Sequence, residues 1–131
     1  MKGLHILAEF HACACGADAM HDPAAVRRLC LAACATAGLS VVGQVFHGFG
    51  TPETPAGATG AVVLAESHLA VHTWPELGAV TFDLYVCNYS QDNRVAAEAA
   101  YNSLAQAFLP GRIVRRDVTR GSVDASSNVS S

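Results

Sequence analysis

The chain has 131 residues, a length that fits one domain with one hydrophobic core. Although 51% of its residues are hydrophobic, no apolar run approaches the roughly 18 residues of a membrane-spanning helix, which argues against a membrane protein. The net charge of -3 and the few basic residues exclude the broad positive surface that binds phosphate backbones, so we expect no nucleic-acid partner.

The first part of the chain predicts a strand, a helix and a second strand. Residues 4 to 10, LHILAEF, alternate as a strand does, and their polar members make a poor signal peptide, so we expect a cytoplasmic protein. Asp22 followed by Pro23 is typical of a helix start and predicts a helix over residues 23 to 37. The β-branched and aromatic residues of 40 to 49 indicate the second strand.

The rest of the chain predicts three more strands and one helix. The Pro, Gly and Thr residues of 50 to 60 indicate a loop, and the polar segment 121 to 131 indicates a disordered tail. The predicted elements between them are strands at 61 to 66, 78 to 87 and 111 to 120 and a helix at 94 to 108. Four residues approximate the apolar stripe of that helix: Val95, Ala99, Leu104 and Phe108.

This order, β-α-β-β-β-α-β, predicts an α+β fold in a single domain of residues 1 to 120. Short connections among the middle strands favour antiparallel pairing, so we expect a two-layer sandwich with both helices on one face of a mostly antiparallel sheet. Five alternating residues exceed what one helix layer needs and suggest that a second copy covers the other face as a homodimer: Val62, Leu64, Phe82, Leu84 and Val86.

The five cysteines predict reduced thiols, because their number is odd and the chain lacks a secretion signal. Cys30 and Cys34 lie one turn apart on the first predicted helix, where free cysteine packs as a small apolar residue. Cys13 and Cys15 with His21 could hold zinc, but paired cysteine ligands are usually two to four residues apart. We therefore expect no metal.

The densest set of reactive side chains lies in residues 66 to 76, ESHLAVHTWPE. On a helix, His68, His72 and Glu76 would share one face and could bind a metal ion. Pro75 and the flanking strands argue against that helix, so we place the motif at a bend between two strands.

Ser67 has two possible chemical roles. In a hydrolase it would pair with His72, which Asp83 could orient, but no G-x-S-x-G elbow surrounds it. Alternatively, its hydroxyl could attack the carbonyl of Glu66 in a strained bend, and β-elimination of the resulting ester would leave a pyruvoyl group. Thr59 and His72 could assist this reaction. The residue types alone leave both roles open, together with a purely structural histidine pair.

A family resemblance favours the second role. ESHLAVHTWPE and the following strand FDLYVC, which ends at Cys87, are similar to the processing and catalytic signature of the prokaryotic S-adenosylmethionine decarboxylase proenzyme family. LHILAEF, VFHGF, the TG before the third strand and IVRRDVTRG also fall where that family has comparable segments. The resemblance covers nearly the whole chain apart from the tail, and it implies a two-layer fold and a homodimer with active sites at the interface.

The resemblance also implies self-processing. Cleavage between Glu66 and Ser67 would yield a β chain of residues 1 to 66 and an α chain of residues 67 to 131. The α chain would begin with a covalent pyruvoyl group derived from Ser67, so the enzyme would need no pyridoxal phosphate. His72 would accept and donate protons during processing.

Four further residues receive roles from the resemblance. Thr59 would supply a hydroxyl for the acyl shift. Cys87 would be the acid that protonates the substrate carbon after carbon dioxide leaves. Phe49 would stack on the adenine ring, and Glu76 would contact the substrate.

The reaction implied is decarboxylation of S-adenosylmethionine, which supplies the aminopropyl donor for spermidine. The pyruvoyl ketone would form a Schiff base with the substrate amine and accept the electron pair released by decarboxylation. Ala70 and Gly48 stand where the family usually has a hydroxyl residue and a basic residue. The alternatives are therefore the same chemistry on ornithine or arginine, or a dimerising relative that never cleaves itself.

Overall fold

A computed structural model describes residues 2 to 88 and 92 to 121, so the predicted tail lies almost wholly outside the described residues. Within these ranges, six antiparallel strands form one sheet in the order β2-β3-β4-β5-β1-β6. The strands are β1 (Gly3–His11), β2 (Val41–Gly50), β3 (Pro55–Leu64), β4 (Ser67–Trp74), β5 (Ala79–Cys87) and β6 (Arg112–Arg120). The helices are α1 (Asp18–His21), α2 (Pro23–Thr36) and α3 (Arg94–Phe108).

The predicted α+β class and the antiparallel sheet are confirmed, and the expected order lacks two elements. One is α1, a single short turn of helix before Pro23. The other is β4, because residues 67 to 74 are an extended strand where a bend was predicted. Their alternation of buried and exposed residues is that of a strand with one covered face. Only Pro75–Leu77 turn, as a single 3-10 turn.

Helix α2 begins where the sequence predicts and ends at Thr36, one residue before the predicted end. The Asp22 carboxylate accepts a hydrogen bond of 2.9 Å from the backbone N–H of Ala24 and so caps the first turn. Pro23 occupies the first turn, where its missing N–H costs no helical hydrogen bond. Gly38 follows the helix with a φ of 75°, a conformation that favours glycine.

Helix α3 has the predicted bounds but a different buried stripe. Leu104 and Phe108 are fully buried as predicted, whereas Val95 is 83% exposed. The remaining buried positions of α3 are Ala97, Ala100 and Tyr101. The prediction for Val95 was wrong because it is two positions before the fully buried Ala97, which at 3.6 residues per turn places it on the opposite side of the helix.

The loop predicted over residues 50 to 60 was too long, because β3 begins at Pro55 and only residues 51 to 54 form the turn. The glycines of this segment permit close packing within the sheet. A Cβ at Gly60 would lie 2.0 Å from the Phe46 ring, and one at Gly57 would lie 2.2 Å from the Thr73 carbonyl oxygen. Glycine in a strand can mark such an approach, and here it was misread as a loop signal.

One hydrophobic core lies between the helices and one face of the sheet. It contains all five residues that had suggested a second covered face, together with residues of α2 and α3. Those residues therefore give no support to pairing between copies. The opposite face of the sheet, called the open face here, carries the alternate side chains, among them His5, Leu7, His68, His72 and Asp83.

The two cysteines of α2 are core residues, as predicted. Cys30 and Cys34 are fully buried, and burial raises the pKa of Cys30 to about 12 and that of Cys34 to about 11. All five cysteines are free thiols. None of the helices in the described ranges combines the length and apolar character required to cross a bilayer.

Candidate active site

The Glu66–Ser67 bond lies at the tip of a tight hairpin. Leu64 at the end of β3 pairs with Ser67 at the start of β4, which leaves only Ala65 and Glu66 in the turn. Glu66 has a φ of 66°, in the left-handed region that costs a residue with a side chain about 1 kcal/mol or more. Glu66 contributes the carbonyl group of the bond before Ser67, so the backbone strain predicted at this bond is present in Glu66.

Ser67 and Cys87 meet at one end of the sheet. The Ser67 hydroxyl oxygen accepts a hydrogen bond of 3.2 Å from the backbone N–H of Cys87. Ser67 is 9% exposed and Cys87 is 5% exposed, so both are largely shielded from water. The structure thus brings together the predicted precursor of the electrophile and the predicted proton donor, although they are 20 positions apart in the sequence.

Tyr85 completes this end of the site, and the sequence had not singled it out. Its pKa is raised, first by burial and then by the Cys87 thiol group through charge and a hydrogen bond, while Arg120 acts in the opposite direction. The Arg120 guanidinium lies 4.4 Å from the centre of the Tyr85 ring. Gly3 provides space for the ring, because a Cβ there would lie 2.6 Å from it.

Thr59 and His72 form a second group. They are directly opposite each other on β3 and β4, and the Thr59 hydroxyl oxygen lies 2.5 Å from Nδ1 of His72, hydrogen bonded to it. Because β-strand partners hold their side chains close together, this contact follows from the register itself. If the Thr59 hydroxyl donates this hydrogen bond to Nδ1, the N–H proton of the neutral imidazole lies on Nε2.

A cavity of about 390 Å³ adjoins this second group. Phe49, Thr59, His72 and Glu76 line it, so four of the predicted residues are gathered in one place. The wall also contains Trp74, which the sequence analysis had not selected, and its indole N–H donates a hydrogen bond of 3.0 Å to the Thr81 hydroxyl. A ring held in this way gives the cavity a fixed apolar surface.

The two groups do not meet within one chain. Ser67 and His72 are five residues apart on an extended strand, which separates them by roughly 16 Å at about 3.3 Å per residue. Their side chains also leave opposite faces of β4, since Ser67 alternates with the open-face His68 while His72 lies on the open face. A reaction that uses both residues therefore requires either a second copy of the chain or a rearrangement of β4.

Asp83 does not orient His72, as a hydrolase triad would require. Its carboxylate lies 2.9 Å from Nε2 of His5 and 3.3 Å from Nε2 of His68. Within the described ranges, this trio is also the one metal-ligand cluster, so Cys13, Cys15 and His21 do not form the zinc site considered above. Nδ1 of His21 instead lies 3.0 Å from the carbonyl oxygen of Ala56.

Gly48 and Ala70, which depart from the family pattern, have different surroundings. Gly48 faces helix α2, where an added Cβ would lie 2.9 Å from the Pro23 ring, so a larger residue would collide with the helix start. Ala70 lies on the open face directly opposite Asp83. Of these two residues, Ala70 is the one that lies on the face that carries His68 and His72.

Comparisons with known proteins identify the family and the fold of the chain. The sequence profile described as S-adenosylmethionine decarboxylase matches residues 4–121. An S-adenosylmethionine decarboxylase proenzyme of Pelotomaculum thermopropionicum is 38% identical over 119 residues, which cover 91% of this chain and 86% of that protein. One of Aquifex aeolicus is 36% identical over 128 residues, covering 98% and 87%. The crystal structure of the adenosylmethionine decarboxylase from Aquifex aeolicus is similar, with a TM-score of 0.81, 33% identity and 97% of each chain covered.

Proposed function

This chain belongs to the S-adenosylmethionine decarboxylase family, and on that premise we propose that it cuts itself between Glu66 and Ser67 and then decarboxylates S-adenosylmethionine. The observation that carries the proposal is the hairpin, which combines a strained Glu66 with a shielded Ser67 hydroxyl beside Cys87. The family supports the choice of substrate, and strain in the hairpin would make this peptide bond the reactive one.

The proposed processing begins with an acyl shift. The Ser67 hydroxyl oxygen attacks the Glu66 carbonyl carbon, the amide bond breaks, and the freed Ser67 nitrogen takes up a proton. The product is an ester in which the φ of Glu66 is no longer tied to the tight two-residue turn. Relief of strain would therefore favour a step that otherwise exchanges a stable amide for a less stable ester.

The ester would then break by elimination. A base removes the α-hydrogen of Ser67, a double bond forms between its α and β carbons, and the bond from the β carbon to the ester oxygen breaks. Glu66 leaves as the carboxyl end of the β chain. Tautomerisation of the new N-terminal residue to an imine and hydrolysis by one water release ammonia and leave the pyruvoyl group. His72 is our candidate for the base.

The described residues suit this group. Once formed, the ketone would condense with the substrate α-amine and accept the electron pair that decarboxylation releases. Cys87 would hold the proton at Sγ, and its backbone N–H already contacts the Ser67 hydroxyl oxygen, so the two residues are adjacent. The small exposure of both residues limits competition from water for that protonation.

The cavity beside His72 would bind the rest of the substrate. Phe49 and Trp74 offer aromatic surface for the adenine ring, and Glu76 offers a carboxylate that attracts a positively charged ligand such as a sulfonium. Phe49 is 53% exposed, so its ring is available for stacking. These contacts would position the substrate without taking part in bond breaking.

A second copy of the chain would complete the site. Ser67 and Cys87 at one end of the sheet are roughly 16 Å along β4 from His72, and His72 with Thr59 faces outward from the open face. If the end of the sheet that holds Ser67 and Cys87 in one chain packs against the open face of the other, Ser67 and Cys87 of one chain can meet Thr59 and His72 of the other. The dimer in this proposal is thus a requirement of the chemistry.

Two measurements test the proposal. Denaturing mass spectrometry of purified protein should give two chains, residues 1 to 66 and a chain starting at residue 67 with a blocked terminus. A single intact chain would exclude the self-processing reaction. Release of labelled carbon dioxide should then be measured with S-adenosylmethionine, ornithine and arginine in parallel, and turnover of either amino acid without turnover of S-adenosylmethionine would overturn the substrate assignment.

A further inference from the structure

Three potential metal ligands converge on the open face from three adjacent strands. His5 belongs to β1, His68 to β4 and Asp83 to β5, which lies between the other two in the sheet. Both histidines pair with Tyr85, so each is diagonal to Asp83, two residues earlier on the same face. Diagonal neighbours of this kind come within reach of one another. The ligand atoms all lie within 4.8 Å of each other.

We propose that His5, His68 and Asp83 bind one divalent transition-metal ion of the kind that prefers nitrogen and oxygen ligands, such as Zn²⁺ or Co²⁺. The site would hold the ion by two imidazole nitrogens and one carboxylate oxygen. This inference does not depend on the proposed decarboxylase function, because none of the three residues has a role in that mechanism.

The spacing of the ligand atoms fits such an ion. With metal–ligand bonds of about 2.0 to 2.2 Å, neighbouring ligand atoms around one ion lie roughly 2.9 to 3.5 Å apart in octahedral or tetrahedral geometry. The observed separations from Asp83 Oδ2 are 2.9 Å to His5 and 3.3 Å to His68. The two measured separations therefore already match those between atoms that coordinate one ion, and binding would require only small adjustments of the side chains.

In a single chain the surroundings leave the site accessible on one side. The His68 side chain is 41% exposed and that of Asp83 is 33% exposed, whereas that of His5 is more buried at 17%. Asp83 also lines a cavity of about 270 Å³ on the open face. Ala70, directly opposite Asp83, presents only a methyl group and cannot compete for the carboxylate. Further coordination positions could be taken by water.

An ion bound by these three residues would stabilise the folded chain. They tie β1, β4 and β5 together at a point next to the hairpin, since His68 directly follows Ser67. An ion that binds only the folded chain raises its thermal stability with concentration. We therefore expect Zn²⁺ to raise the melting temperature without being a reactant.

The test is equilibrium dialysis of chelator-treated, full-length protein against a series of Zn²⁺ concentrations. Dialysis allows time for the ion to reach a face that a second copy could cover. We expect one ion per chain. His5→Ala, His68→Ala and Asp83→Asn should each weaken binding more than about tenfold, as loss of a direct ligand does, and should abolish the rise in melting temperature. Far-ultraviolet circular dichroism identifies any variant that fails to fold.

His11→Ala is the matched control. Nε2 of His11 also lies 2.9 Å from a carboxylate oxygen, that of Glu9, but among residues 2 to 88 and 92 to 121 no third potential ligand completes a cluster with them. This variant should bind as the unsubstituted protein does. Bound Co²⁺ should show nitrogen and oxygen coordination, without the sulfur-to-metal charge-transfer absorption that Cys13 or Cys15 would produce.

The titration overturns the site in any of three ways: no ion binds, the three ligand variants bind normally, or His11→Ala weakens binding equally. Repeating it with Ser67→Ala, which should remain one chain, separates metal binding from self-processing. Binding that persists in Ser67→Ala supports the site whatever happens to the proposed function. Binding that requires cleavage would show that the cluster in the continuous chain is not the site.

Discussion

Two inactive variants should restore one another when they are produced in the same cell. His72→Ala removes the proposed processing base, so its chain alone should stay uncleaved. Cys87→Ala removes the proposed acid, so its chain should be cleaved but should decarboxylate poorly. If each site combines Ser67 and Cys87 of one copy with His72 of the other, a mixed dimer contains one complete site and one doubly defective site.

The magnitude follows from the geometry. Ser67 and His72 are roughly 16 Å apart along β4, too far for a hydrogen-bonded proton transfer within one chain. With equal expression and random pairing, about half of the dimers are mixed, so about a quarter of all sites are complete. In the unfractionated mixture we expect about a quarter of the unsubstituted activity and cleavage of about half of the His72→Ala chains. In isolated mixed dimers we expect about half of the unsubstituted activity and cleavage of nearly all of the His72→Ala chains.

The assay uses two affinity tags to isolate mixed dimers, denaturing mass spectrometry for cleavage and labelled carbon dioxide for turnover. Ser67→Ala produced together with Cys87→Ala is the matched control, because both changes fall on the same side of the site and no pairing can complete it. Activity of the first mixture no higher than that of its separate variants would refute the shared site. Activity in the control mixture would refute it as well.

Three further predictions concern single chains. Ser67→Ala should leave one uncleaved, inactive chain by mass spectrometry, whereas Cys87→Ala should give two chains and little carbon dioxide; identical behaviour of both would contradict their separate roles. In the uncleaved Ser67→Ala background, the free energy of unfolding in urea should fall from pH 8 to pH 10. The pKa of Cys30 rises from an ordinary value of about 9 to about 12 on folding, so the unfolded state loses its proton first. That loss amounts to roughly 1 kcal/mol by pH 10 for this one group, and Cys30→Ala should lack that share. Gly60→Ala should destabilise the same background by about 1 to 3 kcal/mol, because its methyl group would displace the Phe46 ring 2.0 Å away; an unchanged urea midpoint would show that the ring moves freely.

Local sequence signals predicted several elements correctly because their causes are local. Asp22 and Pro23 start α2 through one capping hydrogen bond and a fixed φ, both of which involve adjacent residues. The segment 55 to 60 was misread for the opposite reason. Its glycines are required by Phe46 and Thr73, which approach from other parts of the chain, and composition alone cannot distinguish that need from a flexible loop.

The candidate site likewise has features that the sequence predicted and features that only the structure shows. The motif ESHLAVHTWPE supplied the candidate residue types and the bond proposed to break, since both depend on consecutive residues. The structure then separated Ser67 from His72 by the length of β4 and joined Ser67 to Cys87 across neighbouring strands. Spacing in the sequence could not give either result, because extended strands move near residues apart and sheet pairing brings distant ones together.

The sequence by itself determined the family, the fold class and the identity of the bond proposed to break. Only the tertiary structure decided which side chains share a surface, and the trio of His5, His68 and Asp83 is the clearest case. These residues are separated by 63 and 15 positions and follow no ligand motif. They meet because the chain order of the strands differs from their order in the sheet, which places β5 between β4 and β1.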